Sequence, residues 1–406
     1  MCDDIEVDIE SGEIKEVRNA CRIGADQFID YNVNRPKCTV DKHQASYDDA
    51  LKCAIDILKE AENPFIFGLG RSTLETQAKA VELARKLNAF IDDSSSFFSG
   101  EIVEKIFKKS IKTCTLDYVR NESDVIVYWG SDPSNSHPRH LSKFSYFPRG
   151  EHRQKGWEID RTLVCIDVRQ SSTMKISKKK YVIKPESDKK LIDGIIDAMN
   201  GKVPQSFEIG IEAKKLIDLA NLLKKAHHGI IFTGMGLSCA LKNDFGAIEA
   251  IMEKLNEVAD FNLIPMLNHY NTRGFNETLY SHTGYVNRVK FNSEGSIDHG
   301  PEQSFLESLI RNKFDAALIV GADPLSNVPF SISKKLSKIP TITIDSANTP
   351  TTAISKVVIS SAKIGIEAGA RALRMDGVEQ NSEKMIDSPF MAEEEIFSAL
   401  IEGVSV

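Results

Sequence analysis

The chain has 406 residues, 41% of them hydrophobic and 27% charged, and its 51 Lys and Arg against 58 Asp and Glu leave a net charge of −7. That length predicts two or three domains, and the composition is that of a globular protein rather than a disordered one. No apolar run approaches the ~18–20 residues of a membrane helix. The opening MCDDIEVDIESGEIKE lacks the apolar stretch of a secretory leader. Mild acidity argues against non-specific nucleic-acid binding. Seven cysteines (Cys2, Cys21, Cys38, Cys53, Cys114, Cys165 and Cys239) are scattered and form no CxxC pair. An odd, dispersed set in a leaderless chain is expected to stay reduced in the cytoplasm, with no self-sufficient zinc or iron–sulfur motif.

Short β-branched runs ending in Gly or Asp alternate with helical patterns. FIFGLG (65–70) comes before TQAKAVELARKLNAFID. VIVYWGSDP (125–133) and TLVCIDVRQ (162–170) follow. Then come GIIFTGMG (229–236), with AIEAIMEKLNEVADF after it, AALIVGADP (316–324) and TITIDSANTP (341–350). The alternation predicts an α/β fold with parallel sheets. It also repeats. Gly68 and Gly70 match Gly234 and Gly236 at an offset of 166, Gly130 and Asp132 match Gly321 and Asp323 at 191, and Asp167 matches Asp345 at 178. Three elements recur in one order, so two related Rossmann-like domains are expected.

Strand, glycine turn and helix together receive a nucleotide phosphate, and an Asp at a later strand end suits a ribose hydroxyl or a guanine edge. No GxGxxG or Walker A motif is complete, which leaves a simple NAD or ATP enzyme poorly supported. Paired half-sites fit a long ligand with a nucleotide at each end, or two dinucleotides. In HPRH (137–140), Arg139 offers a bidentate fork and His137 and His140 add donors for a phosphate; the alternative is a Pro-fixed loop with a structural Arg. His227 and His228 close a helix, where cations suit the C-terminus. Tyr128 and Trp129 read as core. The lysines of KISKKKYVIK (175–184) read as a solvated strand edge, or as an attractor for an acidic carrier tail. SPFMAEEEIFSALIE reads as an amphipathic helix started by Ser388 and Pro389, with Phe397, Leu400 and Ile401 facing inward.

Four segments carry a family resemblance: CDDIEVDIESGEIKEVRNACRIG (2–24), DVIVYWGSDPSNSHPRH (124–140), LIPMLNHYNTRGFN (263–276) and NTPTT (348–352). Together they resemble the B subunit of formylmethanofuran dehydrogenase, which has the molybdopterin oxidoreductase fold, and the resemblance spans nearly the whole chain. It implies two α/β domains with two pterin guanine dinucleotides chelating tungsten or molybdenum, a [4Fe–4S] cluster, and reduction of CO2 to formate for transfer to methanofuran. It implies cofactor-binding roles for Gly130, Asp132, Pro133, His137, Arg139, Asp167, Arg169, Gly234, Gly236, His269, Gly321, Asp323 and Asp345.

The departures fall on the chemistry. The family's metal-binding Cys, His and Gly align with Phe98, Ser99 and Gly100 of IDDSSSFFSG. Its active-site Arg aligns with Leu267 of IPMLNHYN, although His269 and Asn271 remain. A metal that needs a soft sulfur ligand finds none in phenylalanine. Cys2 and Cys21 match the third and fourth cluster ligands, and the first two would lie upstream of Met1. Two thiolates do not hold a [4Fe–4S] cluster, so both read as structural cysteines.

These losses resemble the B subunit of the formyltransferase/hydrolase complex of methylotrophs. That resemblance implies a non-catalytic structural subunit beside an amidohydrolase-like A subunit, a C subunit and a formyltransferase. The complex would release formate from a formyl carrier by way of a methanofuran-type carrier. No catalytic residue and no metal site are then expected, and both family cofactors are expected to be lost. The alternatives are an active tungsten or molybdenum catalytic subunit, and a nucleotide-binding module outside one-carbon metabolism. The expected domains are a small N-terminal lobe (1–45), a first α/β domain (46–110 with 225–360), an inserted second one (111–224) and a C-terminal extension (361–406). Partner subunits are expected; nucleic acid and membrane are not.

Overall fold

A computed structural model describes residues 4–242 and 244–405. They form two compact units: residues 97–268, and the flanking stretches up to residue 96 and from residue 269.

The inserted unit holds a five-stranded parallel sheet in the order Asp260–Pro265, His228–Thr233, Val125–Trp129, Thr162–Asp167, Lys179–Val182. Counted along the unit this is 5-4-1-2-3, a Rossmann order whose direction switches between Val125–Trp129 and His228–Thr233. Val125, Val127, Trp129, Ile231 and Leu263 face one side of the sheet. They share a core with Leu191 and Ile195 of the helix Asp188–Met199 and Ile248 and Ile251 of the helix Gly246–Asn256. Burial on both faces explains why these strands read as continuous apolar runs.

The other unit holds a nine-stranded sheet. Its centre is parallel, in the order Phe90–Asp92, Pro64–Gly68, Ala316–Val320, Thr341–Asp345, Val357–Ser360. This is the flavodoxin-like order 2-1-3-4-5, switching between Pro64–Gly68 and Ala316–Val320. Antiparallel strands extend both ends: Val289–Phe291 beside Phe90–Asp92, and Thr39–Val40 beside Val357–Ser360. The helices Tyr47–Glu60, Leu74–Lys86 and Glu393–Ser405 share one apolar core with this sheet through residues such as Ala54, Ala80 and Phe397. Phe65, Phe67, Phe90, Phe305 and Phe314 fill the other side. The hairpin Glu6–Glu10/Glu13–Arg18 places Ile14 against Ile366 and Ile386.

Two related parallel α/β sheets are therefore present, and the matched strands hold matched positions. His228–Thr233, Val125–Trp129 and Thr162–Asp167 stand in a row in one sheet as Pro64–Gly68, Ala316–Val320 and Thr341–Asp345 do in the other. The domain boundaries differ from those expected. Residues 225–268 join the inserted unit, because His228–Thr233 pairs with Val125–Trp129 and not with the strands around residue 66. Residues 97–110 go with them. Thr39–Val40 and His43–Gln44 belong to the nine-stranded sheet, so the N-terminal lobe does not run to residue 45. The stretch 361–406 is not a separate extension, since Ile396, Phe397 and Leu400 lie in the core of its unit. Its last helix starts at Glu393, five residues after Ser388, whose hydroxyl instead donates to Glu367 Oε1 at 2.9 Å. Among the described residues no helix is long and apolar enough to cross a membrane.

Candidate functional site

In α/β sheets of these orders, ligands enter the crevice where strand order switches, beyond the carboxyl ends of the strands. In the inserted unit that crevice lies between the turns that follow residues 129 and 233. Gly130, with φ +61°, donates its N–H to Ile166 O at 2.8 Å, and its carbonyl accepts from Gly236 N at 3.0 Å. A Cβ on Gly130 would stand 2.2 Å from Leu237 N, and one on Gly234 2.3 Å from Gly130 O. These glycines let two turns of the protein close on each other. Asp132 joins the turn after residue 129 to the start of the helix Ser172–Ile176. Its Oδ1 accepts from Thr173 N at 2.9 Å and Thr173 Oγ1 at 2.6 Å, and its Oδ2 from Asn135 Nδ2 at 2.6 Å and Ser172 N at 3.3 Å. Burial works to raise the Asp132 carboxyl, but these donors outweigh it and hold the group below the usual carboxylate range. Pro133 opens the short turn Pro133–Ser136.

The second unit repeats the core of this arrangement. Gly321, at φ +55°, donates to Ile344 O at 3.0 Å. Asp323 Oδ1 accepts from Thr351 N at 3.1 Å and Thr351 Oγ1 at 2.5 Å. Ser177 Oγ donates to Thr173 O at 2.8 Å and Ser355 Oγ to Thr351 O at 2.7 Å. Asp132 and Asp323 are thus loop staples, each tying one strand end to the start of the helix that follows the neighbouring strand. Thr173 and Thr351 were missed in the sequence. Both stand six residues after an Asp at a strand end, at the same offset of 178, which was the available signal.

The HPRH segment divides. His137 Nε2 lies 2.8 Å from Leu267 O and Nδ1 2.9 Å from Ser136 Oγ. His140 is fully buried against the Tyr128 and Phe232 rings, 5.8 and 4.6 Å between centroids, and neither ring nitrogen has a partner. Burial holds it neutral, well below the usual histidine range, so it offers no charge to a phosphate. Arg139 is half-buried and Arg169 is exposed. Asp167 Oδ1 accepts a 3.3 Å bond from Arg169 N. Tyr128 and Trp129 are core residues as expected. His228 lies at the start of a strand beside Tyr118 Oη (2.9 Å), at the end of the sheet away from the switch.

The second unit's switch carries a group the sequence reading overlooked. Arg71 follows Gly68 and Leu69, both at positive φ, and Gly70. A Cβ on Gly70 would meet Thr272 Oγ1 at 3.0 Å and His269 Cδ2 at 3.1 Å, so glycine is needed for His269 to approach. Arg71 Nε donates to His269 Nδ1 at 3.4 Å, and Tyr270 Oη donates to Arg71 O. Burial first, and Arg71 second, push His269 down to about 4. Asp345 is 6% exposed and accepts from Ala347 N at 2.9 Å; burial raises its carboxyl to about 6 against the pull of Arg71. A cation, a neutral imidazole and a buried carboxyl at a switch point suit an anionic nucleotide-like ligand. A basic residue directly after GLG was the signal.

The metal half of the implied cofactor does not fit these residues. Phe98 offers no donor atom, Ser99 is buried with its hydroxyl unpartnered, and Leu267 is 2% exposed. Among the described residues no three His, Cys, Asp or Glu side chains are grouped to hold a metal ion. Cys21 Sγ caps the helix Arg22–Ile29, accepting from Gly24 N at 3.4 Å. Cys2 lies outside the described residues.

This α/β fold with two parallel-centred sheets is shared with solved structures. The acetylene hydratase of Pelobacter acetylenicus superposes with a TM-score of 0.71 at 12% identity, over 99% of this chain and 67% of that one. A chain of the formyltransferase/hydrolase complex of Methylorubrum extorquens, solved with methylofuran, superposes with a TM-score of 0.72 at 19% identity, over 91% of this chain and 98% of that one. No family model matches. The chain is 32% identical to the B subunit of the tungsten-containing formylmethanofuran dehydrogenase 2 of Methanocaldococcus jannaschii, over all of this chain and 96% of that protein. It is 31% identical, with the same coverage, to the corresponding protein of Methanococcus maripaludis. The chain belongs to the family of formylmethanofuran dehydrogenase B subunits.

Proposed function

We propose that this member of the family is a structural subunit that has lost the redox centre. It would serve in a cytoplasmic formyltransferase/hydrolase-type complex that releases formate from a formyl carrier. The observation that carries the reading is Phe98. Where the resemblance calls for the metal's sulfur ligand, the chain presents a hydrocarbon ring, and Leu267 removes the accompanying cation. Losing ligand and cation together leaves no protein sulfur for the metal and no cation at that position to stabilise an anionic substrate beside it. The remaining Arg71, His269 and Asp345 would bind an anion or a nucleotide edge without changing it chemically. The partners would be an amidohydrolase-like subunit, a formyltransferase and a C subunit, with a methanofuran-type carrier moving between them.

A second reading, an active tungsten subunit, is favoured by the full-length identity to tungsten-containing relatives. The two differ in redox behaviour. The purified complex should release formate from its formyl carrier with no electron acceptor present, and should not reduce a viologen dye with formate. Formate-dependent dye reduction that follows this subunit through purification would overturn the proposal.

A further inference from the structure

The two units treat one equivalent strand edge differently. Lys179–Val182 and Val357–Ser360 match at the offset of 178 that also relates Asp167 to Asp345 and Thr173 to Thr351. Each follows its unit's stapled helix and lies beside the strand that ends in that Asp. In the second unit the outer edge of Val357–Ser360 is covered: Thr39–Val40 pairs with it antiparallel, Val357 opposite Val40 and Val358 opposite Thr39. In the inserted unit Lys179–Val182 is the last strand of the sheet, and among the described residues no strand pairs with its outer side.

Its backbone is turned for such a partner. Ile183 N donates inward to Asp167 O at 3.0 Å, while Lys184 N donates outward to Ile209 O at 2.9 Å. Alternation along a strand then points the N–H groups of Lys180 and Val182 to the open side. The surroundings are basic and partly apolar. Lys175, Lys178, Lys179, Lys180 and Lys184 fall within ten residues, and among the described residues none of these five forms an ion pair with a carboxylate. Val182 is 41% exposed, and Phe207, beside Lys184, is 88% exposed. Lysines on an edge repel a second copy of the same strand. They equally favour a strand of opposite charge, and an aromatic ring left this bare in water marks a contact surface.

We propose that an acidic, extended segment of a partner subunit adds antiparallel to the open edge of Lys179–Val182, as Thr39–Val40 does within the chain itself. This rests on the reading of the chain as one subunit of a complex. Cross-strand carboxylates would meet the lysine ammoniums, and Phe207 would be covered.

The test is hydrogen–deuterium exchange on the full chain alone and on the complex purified from its native source. The amides of Lys180 and Val182 should exchange about tenfold or more slowly in the complex, while the inward-bonded amides beside them change little. Two variants should each lower recovery in the complex about tenfold while leaving the isolated chain's thermal unfolding unchanged. Val182→Pro removes an outward N–H without touching the inner ladder, and the Lys179→Glu/Lys180→Glu pair reverses the charge. An edge exchanging equally fast in the assembled complex would overturn the inference and leave the subunit reading standing. So would both variants assembling like the parent. Protection already present in an isolated dimer would overturn it by making the occupant a second copy. A chain that associates with no other subunit would remove both.

Discussion

Replacing Thr173 with Val tests the Asp132 staple and, through it, the internal repeat. The substitution keeps the side chain's size at a fully buried position. It deletes a hydroxyl that donates to Asp132 Oδ1 at 2.6 Å and accepts from Ser134 N at 3.1 Å. A hydrogen bond to a charged group contributes about 1.5–3 kcal/mol, and the orphaned Ser134 N–H adds to the loss. A deficit of about 2 kcal/mol corresponds to about 4–8 °C in melting temperature for a unit of this size. Both tryptophans, Trp129 and Trp157, lie in the inserted unit, so tryptophan fluorescence in urea reports that unit directly. Thr351→Val, with the same bonds to Asp323, should cost the other unit the same amount, followed by circular dichroism. The sign of the pH dependence is fixed by the lowered Asp132 pKa. Stability from a lowered carboxyl is present above the unfolded value of about 3.9 and is lost as pH falls through the folded value. The Thr173→Val deficit should therefore be full at pH 7 and shrink below about pH 4. A change under about 0.5 kcal/mol, or a deficit undiminished at pH 3, would refute the staple.

Gly130→Ala should destabilise the inserted unit by about 3 kcal/mol or more, because its Cβ meets backbone at 2.2 Å and φ is +61°; a urea midpoint within error of the parent would contradict this. Arg161→Met should cost about 3 kcal/mol or more, read in the same titration. Arg161 is 2% exposed and its guanidinium donates to the carbonyls of Tyr146 (3.3 Å) and Pro148 (2.5 Å) and to that of Arg120; methionine removes all three donations, and among the described residues only Tyr146 O keeps another donor, Trp157 N at 3.1 Å. Glu393 is buried, and burial raises its carboxyl to about 8 against a smaller opposite pull from Ser72. A raised carboxyl's contribution is full below its unfolded value of about 4.3 and is lost as pH rises through the folded one. The melting temperature of Glu393→Gln should therefore gain on the parent steadily between about pH 5 and 8 and level off above; parallel curves would exclude it.

The strands and their pairing into equivalent sets were legible, because a strand buried on both faces writes itself as an apolar run ending in Gly or Asp. Which sheet each strand joins was not. His228–Thr233 and Pro64–Gly68 have the same local pattern, yet one sheet has Rossmann order and the other flavodoxin-like order. That choice is made by non-local pairing, on which periodicity is silent. The aspartates at strand ends were found, but their partners were not. Asp132 and Asp323 looked free to meet a ligand, and the threonines that bind them lie some 28 to 41 residues away. His140 looked like a phosphate donor because sequence does not show that an aromatic pocket encloses it. Glu393 was one of three consecutive glutamates, and only packing distinguishes the buried one from its exposed neighbours.

The most direct test of the lost redox centre is elemental analysis of this subunit in its intact, anaerobically purified complex. The account predicts tungsten and molybdenum far below one atom per chain, unchanged when the host is grown with excess of either metal. One firmly bound atom of either per chain, with pterin released on denaturation, would contradict it.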